Sequence, residues 1–450
     1  MFYVSLLYRR IASNQKCYNE FDPSKYLLTF APPKILRIYQ KESPIDLFRV
    51  HAKQQLIPLD PNQLLLALLS PKSSRFDYNK NVIEKKVEKL YVYEPDLTSL
   101  EEECLLDAFR SGWVSSKGKY IELFENSFSE FVGSSNSGVC VSNGTVAIHL
   151  ALLALGVGKS DEVLVPDFTY IACANAVTYT GATAVFFDSQ ISDLQPHVIS
   201  AKEMITEKTK AIVLPHLYAA NADVKAFRNL CDENGIYLVE DCSEAIGSTI
   251  EGLHVGVLGD ISTFSFYGNK TLTTGEGGMI ISENMDYLNN IRKLKSQGQK
   301  FPGSFFHDVL GYNYRMTNLQ AAIGFAQVKR ASEILEAKKR IHQAYKNQLS
   351  KLSSVRLLES QIGYSGNWME TIILDSFLDS ELIRNELSLR GIETRPGFTP
   401  ITLMPMYDKN KTNATNIKSV WSSVVNLPSS PRLTEVQVEF IVQTLADILK

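Results

Sequence analysis

Six short apolar runs recur between residues 138 and 281, at 138–141, 162–165, 184–187, 211–214, 236–239 and 261–266. Stretches of helical length separate them. The runs are rich in β-branched residues and too short to be helices, so the spacing predicts strands alternating with helices. Strands that are apolar without alternation are covered on both faces, and strands joined through helices run parallel. The pattern specifies an α/β fold, a mostly parallel sheet with helices on both faces.

Beyond this region the pattern changes. Residues 317–349 read as one long helix of charged and apolar periodicity, a bridge between domains. Strand-like 369–374, helical 380–390 and 434–449, and a polar loop at 409–416 suggest a smaller α+β domain. The expected organisation is a large α/β domain over 91–335, a small C-terminal domain over 336–450, and an N-terminal extension over 1–90. The extension carries no motif. Its apolar run 64–69 predicts that part of it packs rather than staying disordered.

Composition narrows the function classes. With 44% apolar residues among 450, the chain can bury large cores. A net charge of −3 argues against a nucleic-acid-binding face. The six cysteines, at 17, 104, 140, 173, 231 and 242, show neither paired nor metal-type spacing. The seven histidines include no i, i+4 pair, and a zinc site is not expected. No apolar run reaches the ~18–20 residues of a membrane span. The apolar run 2–8 precedes Arg9 and Arg10, the reverse of a secretory signal, so a cytoplasmic protein is expected.

Open α/β sheets bind ligands at the carboxyl ends of their strands, and several polar residues fall there. Lys270 lies between the run 261–266 and a Gly-rich stretch, Thr274-Gly-Glu-Gly-Gly278. Desolvation favours a neutral lysine, and a neutral amine is a nucleophile toward an aldehyde cofactor such as pyridoxal phosphate. A surface lysine in a turn fits the same letters. Asp241 follows the run 236–239, where its carboxylate suits a pyridinium nitrogen or a plain turn. Ser142-Asn-Gly-Thr145 opens a predicted helix, and helix N–H groups with Gly144 and Thr145 suit a phosphate or a simple cap. Ser265 adds a hydroxyl, and Tyr170 places a ring beyond the run 162–165, for stacking or for the core.

Four phrases carry a resemblance: Gly112-Trp-Val-Ser-Ser116, Phe264-Ser-Phe-Tyr-Gly-Asn-Lys-Thr271, Tyr312-Asn-Tyr-Arg-Met-Thr-Asn318 and Glu393-Thr-Arg-Pro396. The chain resembles the DegT-type nucleotide-sugar aminotransferases, a branch of the fold-type I pyridoxal phosphate enzymes, and within them the perosamine-forming group. The resemblance starts near Tyr91 and reaches the C-terminus. It implies that Lys270 binds pyridoxal 5'-phosphate covalently, that Asp241 faces the ring nitrogen, and that Tyr170 stacks on the ring. It implies phosphate contacts from Gly144, Thr145 and Ser265, and Glu244 near the ring hydroxyl. Asn313 would reach the phosphate of a neighbouring subunit's cofactor, making a homodimer with shared sites. His307, Arg315 and Arg395 would line the sugar-nucleotide pocket.

The implied reaction moves an amino group from L-glutamate to a 4-keto-6-deoxy sugar nucleotide, GDP-4-keto-6-deoxymannose first, with a UDP- or dTDP-linked sugar or a non-catalytic binding role as alternatives. Lys270 argues against the family's dehydratases, which carry histidine there. The chain departs from the family where Tyr-Gly-x-Pro-x-Asp becomes Tyr218-Ala-Ala-Asn-Ala-Asp223, and in the extension. Gly156-Val-Gly-Lys-Ser160 is not a P-loop, since Leu153 stands where glycine is needed and a helix precedes it.

Overall fold

The computed structural model describes residues 89–450 apart from Ala219 and Pro302. The expectations for the extension before residue 89 lie outside the described residues. Among the described residues thirteen strands form three sheets. Seven of them, β1 (Val139–Val141), β2 (Glu162–Pro166), β3 (Thr183–Phe187), β4 (Thr209–Pro215), β5 (Tyr237–Asp241), β8 (Ile261–Ser265) and β9 (Gly278–Ile281), make one sheet in the order β1-β9-β8-β5-β4-β2-β3. The pairs from β8 to β3 are parallel, and β9 runs antiparallel to both β8 and β1. β6 (Thr249–Ile250) and β7 (Leu253–His254) form a small hairpin.

The mostly parallel sheet follows the sequence reading, and alternate residues on each strand show why the runs are continuously apolar. Leu164, Phe187, Ile212, Leu238 and Phe264 enter one core, while Val163, Phe186, Val213, Val239 and Ile261 enter the other. In the first core Phe128 meets Phe264 and Phe266 edge-on at 4.9 and 5.0 Å, the arrangement the ring quadrupoles favour.

The helices are α1 (Ser99–Arg110), α2 (Lys119–Val132), α3 (Gly144–Ala154), α4 (Ala172–Tyr179), α5 (Val198–Met204), α6 (Val224–Asn234), α7 (Met285–Leu294), α8 (Asn318–Lys329), α9 (Ala331–Leu349), α10 (Ser380–Leu389) and α11 (Glu435–Ile448). α8 packs on α1 and α2 on the first face, and α3 packs on α4 and α7 on the second.

β9 is the strand of this sheet that the sequence reading did not single out. It is four residues long and follows the Gly-rich stretch without a helix. Its pairing with β8 makes the intervening segment 266–277 a loop above the carboxyl ends of the parallel strands.

The long helix expected over 317–349 is two. Thr317 caps α8 with a capping box to Gln320, and the helix ends at Arg330, where φ is −103° and ψ 7°. No glycine or proline marks this break. The half-buried Arg330 guanidinium is bound by Asp96 and Glu101, from before α1 and in its first turn, and by its own neighbour Glu333, so tertiary ion pairs help hold the bend.

A second sheet follows, antiparallel, in the order β10-β11-β13-β12, from β10 (Val355–Leu357), β11 (Glu370–Leu374), β12 (Arg395–Pro396) and β13 (Val424–Leu427). Its core joins Ile372 and Val425 to Ile341 and Tyr345 of α9, Leu387 of α10 and Ile441 of α11. Leu90 enters the same core and exchanges backbone hydrogen bonds with Gly391 and Glu393. The polar loop 409–416 is fastened along the edge strand β3, where Phe186 N–H donates to the Lys411 carbonyl at 2.9 Å, covering an edge that would otherwise offer unpaired groups.

Candidate active site

β8 ends at Ser265, so Lys270 sits in the following turn, five residues past the strand rather than at its end. Its side chain is 12% exposed, and Nζ stands 3.5 Å from Glu244 Oε1. The same nitrogen lies 3.9 Å from the centroid of the Trp368 ring. The amine therefore faces a carboxylate and an indole rather than the bare apolar surroundings expected of a strand end. The Tyr93 hydroxyl donates to the Lys270 carbonyl at 3.0 Å.

Glu244 is buried, and burial pushes its carboxyl above the ordinary value while Lys270 partly opposes this. Its other oxygen accepts the Tyr218 N–H at 3.0 Å.

Asp241 is the last residue of β5, next to β8 in the sheet. Oδ1 accepts the Ser243 N–H at 3.1 Å, and Oδ2 accepts the thiol of Cys173 at 3.3 Å. Burial and the nearby carboxylate hold the Cys173 thiol protonated well beyond its usual range, so it remains a donor. Cys173 lies in the first turn of α4, and its N–H donates to the Tyr170 carbonyl at 3.2 Å. Tyr170 is 57% exposed, its ring 5.9 Å from that of Phe398.

α3 starts at Gly144. The Asn143 side chain accepts the Val146 N–H and leaves the first N–H groups of the helix without an intrahelical partner. A Cβ on Gly144 would lie 2.9 Å from Ser265 Cβ and 3.4 Å from Ser243 Oγ. Only glycine lets the helix start come this close to two hydroxyls. The helix end, Ser265 and Ser243 make a cradle for an anion.

The remaining predicted residues lie apart. Residues 296–316 form an excursion closed by bridges between Ser296 and Asn313 and between Gln299 and His307. Asn313 is exposed, its Oδ1 accepting from Arg315 at 3.1 Å. Arg315 pairs its backbone with Val141 at the end of β1, and its Nε is buried without a partner. His307 is exposed, with Nδ1 2.8 Å from the Gln297 carbonyl. Arg395 is exposed on β12, three residues before Phe398, whose ring stacks on Tyr218 at 5.0 Å. Among the described residues neither His307 nor Arg395 bonds to the group around Lys270.

The departure at 218–223 has a structural counterpart. Tyr218 adopts φ 56°, its hydroxyl accepting the Phe398 N–H at 3.0 Å. Asn221 is buried and donates through Nδ2 to the carbonyls of Ile362 and Tyr364 at 3.1 and 3.0 Å. Side-chain amide bonds hold this loop where the family uses glycine and proline.

His216, Glu240 and Cys242 cluster within 4.8 Å, as metal ligands would. Glu240 is already satisfied by His216 and by the N–H groups of Gly256, Leu258 and Gly259, and His216 Nδ1 accepts the Ala222 N–H. The cluster closes on itself as a structural network.

The pattern of the DegT/DnrJ/EryC1/StrS aminotransferase family matches residues 95–446. The chain belongs to this family. It is 43% identical over 354 residues to a GDP-perosamine synthase of Escherichia coli O157:H7, covering 79% of this chain and 97% of that one. It is 44% identical to a GDP-perosamine synthase of Vibrio cholerae, over 78% and 96% of the two chains. The PLP form of the putative sugar aminotransferase Spr1654 from Streptococcus pneumoniae superposes with a TM-score of 0.75 at 26% identity, covering 80% and 98%. This aminotransferase is pyridoxal phosphate-dependent, and its residues fit the cofactor. The glycine cradle suits the phosphate, the Asp241 carboxylate suits a protonated ring nitrogen, and one lysine lies within reach of an aldehyde.

Tyr93, Trp368 and Cys173 were not singled out from the sequence. Cys173 and Ser243 lie inside motif segments. Tyr93 and Trp368 lie 177 and about 100 residues from Lys270 and carry no local signal.

Proposed function

We propose that this aminotransferase moves the amino group of L-glutamate to C4 of a 4-keto-6-deoxy sugar nucleotide, with GDP-4-keto-6-deoxymannose as substrate and GDP-perosamine as product, for cell-surface polysaccharide in the cytoplasm. The carrying observation is the Lys270–Glu244 pair beside Asp241, in a chain more than two-fifths identical to GDP-perosamine synthases along nearly their whole length. When bound, the cofactor's conjugated ring accepts the electron pair left as a bond at the amino carbon breaks.

In this reading Lys270 Nζ takes the proton from the donor's α-carbon and later delivers one to C4 of the sugar. Glu244 holds the amine while it carries the proton. Asp241, fixed by Cys173 and Ser243, holds a negative charge facing the ring nitrogen and keeps that nitrogen protonated. Gly144, Thr145 and Ser265 bind the phosphate, and Tyr170 covers the ring. The exposed Arg395 and the 296–316 excursion with His307 and Arg315 contact the sugar nucleotide.

The reading includes a homodimer. Asn313 is exposed, and the excursion that carries it bares Phe301, Phe305, Phe306 and Leu310, with Phe305 97% exposed. So dense an apolar patch favours a covered interface. It also places the domain boundary at 335–336, inside α9, with the N-terminal extension outside the chemistry. No helix among the described residues is long and apolar enough to cross a membrane.

Turnover with L-glutamate against GDP-, UDP- and dTDP-linked 4-keto-6-deoxy sugars tests the reading. Rapid amination of the GDP sugar is expected. Preference for another nucleotide would overturn the substrate assignment, and no turnover with a bound, visibly absorbing cofactor would overturn the reaction.

A further inference from the structure

Trp368 stands just before β11 in the second sheet and grips Lys270 at two points. Its ring face lies 3.9 Å from Nζ. Its indole Nε1–H donates to the Asn269 carbonyl at 2.7 Å, fixing the peptide that precedes the lysine. Trp368 is itself held. Its carbonyl accepts Lys338 Nζ at 2.9 Å and the Ser429 hydroxyl at 3.3 Å. Lys338 is fully buried, and its ammonium also reaches the Ser429 carbonyl. The Tyr218 ring lies parallel to the indole at 6.3 Å. An indole held through its Nε1–H and its backbone carbonyl, with a parallel neighbour, has little freedom to leave the amine.

The groups around Lys270 Nζ differ in kind. Glu244 on the segment after β5 offers a carboxylate at 3.5 Å. Asp241, three residues earlier at the end of β5, adds a second negative charge that acts on Glu244. Tyr93 addresses the lysine's carbonyl, and Cys173 addresses Asp241. Among the described residues only Trp368 covers the amine with a π face. A ring face attracts an ammonium and does little for a neutral amine.

We propose that Trp368 is a positioning residue that holds the free Lys270 amine in its proton-bearing form against Glu244, so that the small sheet sets how readily this lysine takes and keeps the proton it must carry. The proposal rests on Lys270 being the cofactor lysine.

The test uses apoprotein of the full chain, as parent, Trp368→Leu, Trp368→Phe and Lys270→Ala. Covalent capture of pyridoxal phosphate is followed by its visible absorbance across pH, and the adduct is trapped with borohydride and mapped by mass spectrometry. Affinity for pyridoxamine phosphate, which has no aldehyde, reports the pocket without the lysine's reaction. In Trp368→Leu the midpoint of the capture curve should fall by about 0.5–1 pH unit, as expected for losing a partly desolvated cation–π contact. Pyridoxamine phosphate affinity should stay within about threefold. Trp368→Phe, which keeps a weaker face, should lie between.

An unmoved midpoint overturns the proposal. So does parallel loss of capture and pyridoxamine phosphate affinity without a midpoint shift, which is what a purely structural residue gives. Should Trp368→Leu fail to fold, mono-, di- and trifluorotryptophan incorporated in a Trp113→Phe, Trp421→Phe background weaken the ring face without changing its shape. The midpoint should then step down with each fluorine, and a flat series overturns the proposal. A borohydride-trapped adduct persisting at this site in Lys270→Ala would instead overturn the assignment of Lys270, whatever the tryptophan does.

Discussion

Asp241 shows how a single side chain is prepared for its task. A carboxylate at a strand end is free to turn, but here each oxygen has one donor, an amide N–H and a thiol. Both bonds favour the anion. Asp241→Asn keeps the shape and removes the charge that would face the ring nitrogen. Its turnover should fall by about 10²–10³, or about 3–4 kcal/mol in the barrier, while cofactor affinity falls less. Steady-state rates and cofactor titration check this, and a rate within about twofold of the parent would mean another group holds the nitrogen. The sequence pointed to Asp241 and Lys270 because both follow strong apolar runs. It gave no sign of Trp368 or Tyr93, since contacts made across a hundred or more residues leave no local periodicity.

At the scale of elements, the crossing of α3 and β8 builds the anion cradle, and Gly144 is the residue that permits it. Gly144→Ala sets two effects against each other. Alanine favours a helix by about 1 kcal/mol, but its Cβ would press on Ser265 at 2.9 Å. Crowding of that kind costs about 1–3 kcal/mol. Since the relief is to push Ser265 aside, cofactor affinity should drop about tenfold or more even where the melting temperature holds. Equilibrium titration with pyridoxal phosphate reads this directly, and unchanged affinity would remove Ser265 from the phosphate site.

α9 carries a different liability. Burial pushes Lys338 down to about 8 from an ordinary 10.5, with Glu370 partly opposing. Below pH 8 folded and unfolded chains both hold the proton. Between about 8 and 10.5 the folded chain has released it while the unfolded chain keeps it, so this residue's contribution to stability rises with pH across that window. Denaturant midpoints of Lys338→Met relative to the parent should therefore diverge in the parent's favour from pH 8 to 10. A constant difference would show that Lys338 does not titrate there.

For the whole molecule, the exposed Asn313 and the bared phenylalanines around it make the proposed dimer testable. Inactive Lys270→Ala and inactive Asn313→Asp chains should regain partial activity when unfolded together and refolded, because a mixed dimer holds one site with both residues intact. Heterodimers that form and stay inactive would show that each site belongs to one chain. Full activity in a monomer would do the same.

The sequence by itself determined the parallel sheet, because runs buried on both faces must be apolar at every position, and that requirement is written locally. It determined where Asp241, Ser265 and Gly144 would fall, because strand ends and helix starts are marked by the same runs. It also determined the family, through phrases spread from Gly112 to Pro396. What only the tertiary structure decided is whatever depends on pairing across the chain. β9 follows a glycine-rich turn with no helix to set it off, and exists through its register with β8 and β1. The helix of 317–349 breaks at Arg330 because two carboxylates from elsewhere, Asp96 and Glu101, bind its guanidinium. The lysine's amine meets Glu244 and Trp368 because two sheets, folded from separate stretches, close on the same turn. Burial is a property that each residue carries in its own chemistry, whereas a specific ion pair or ring contact needs two distant residues at one point in space.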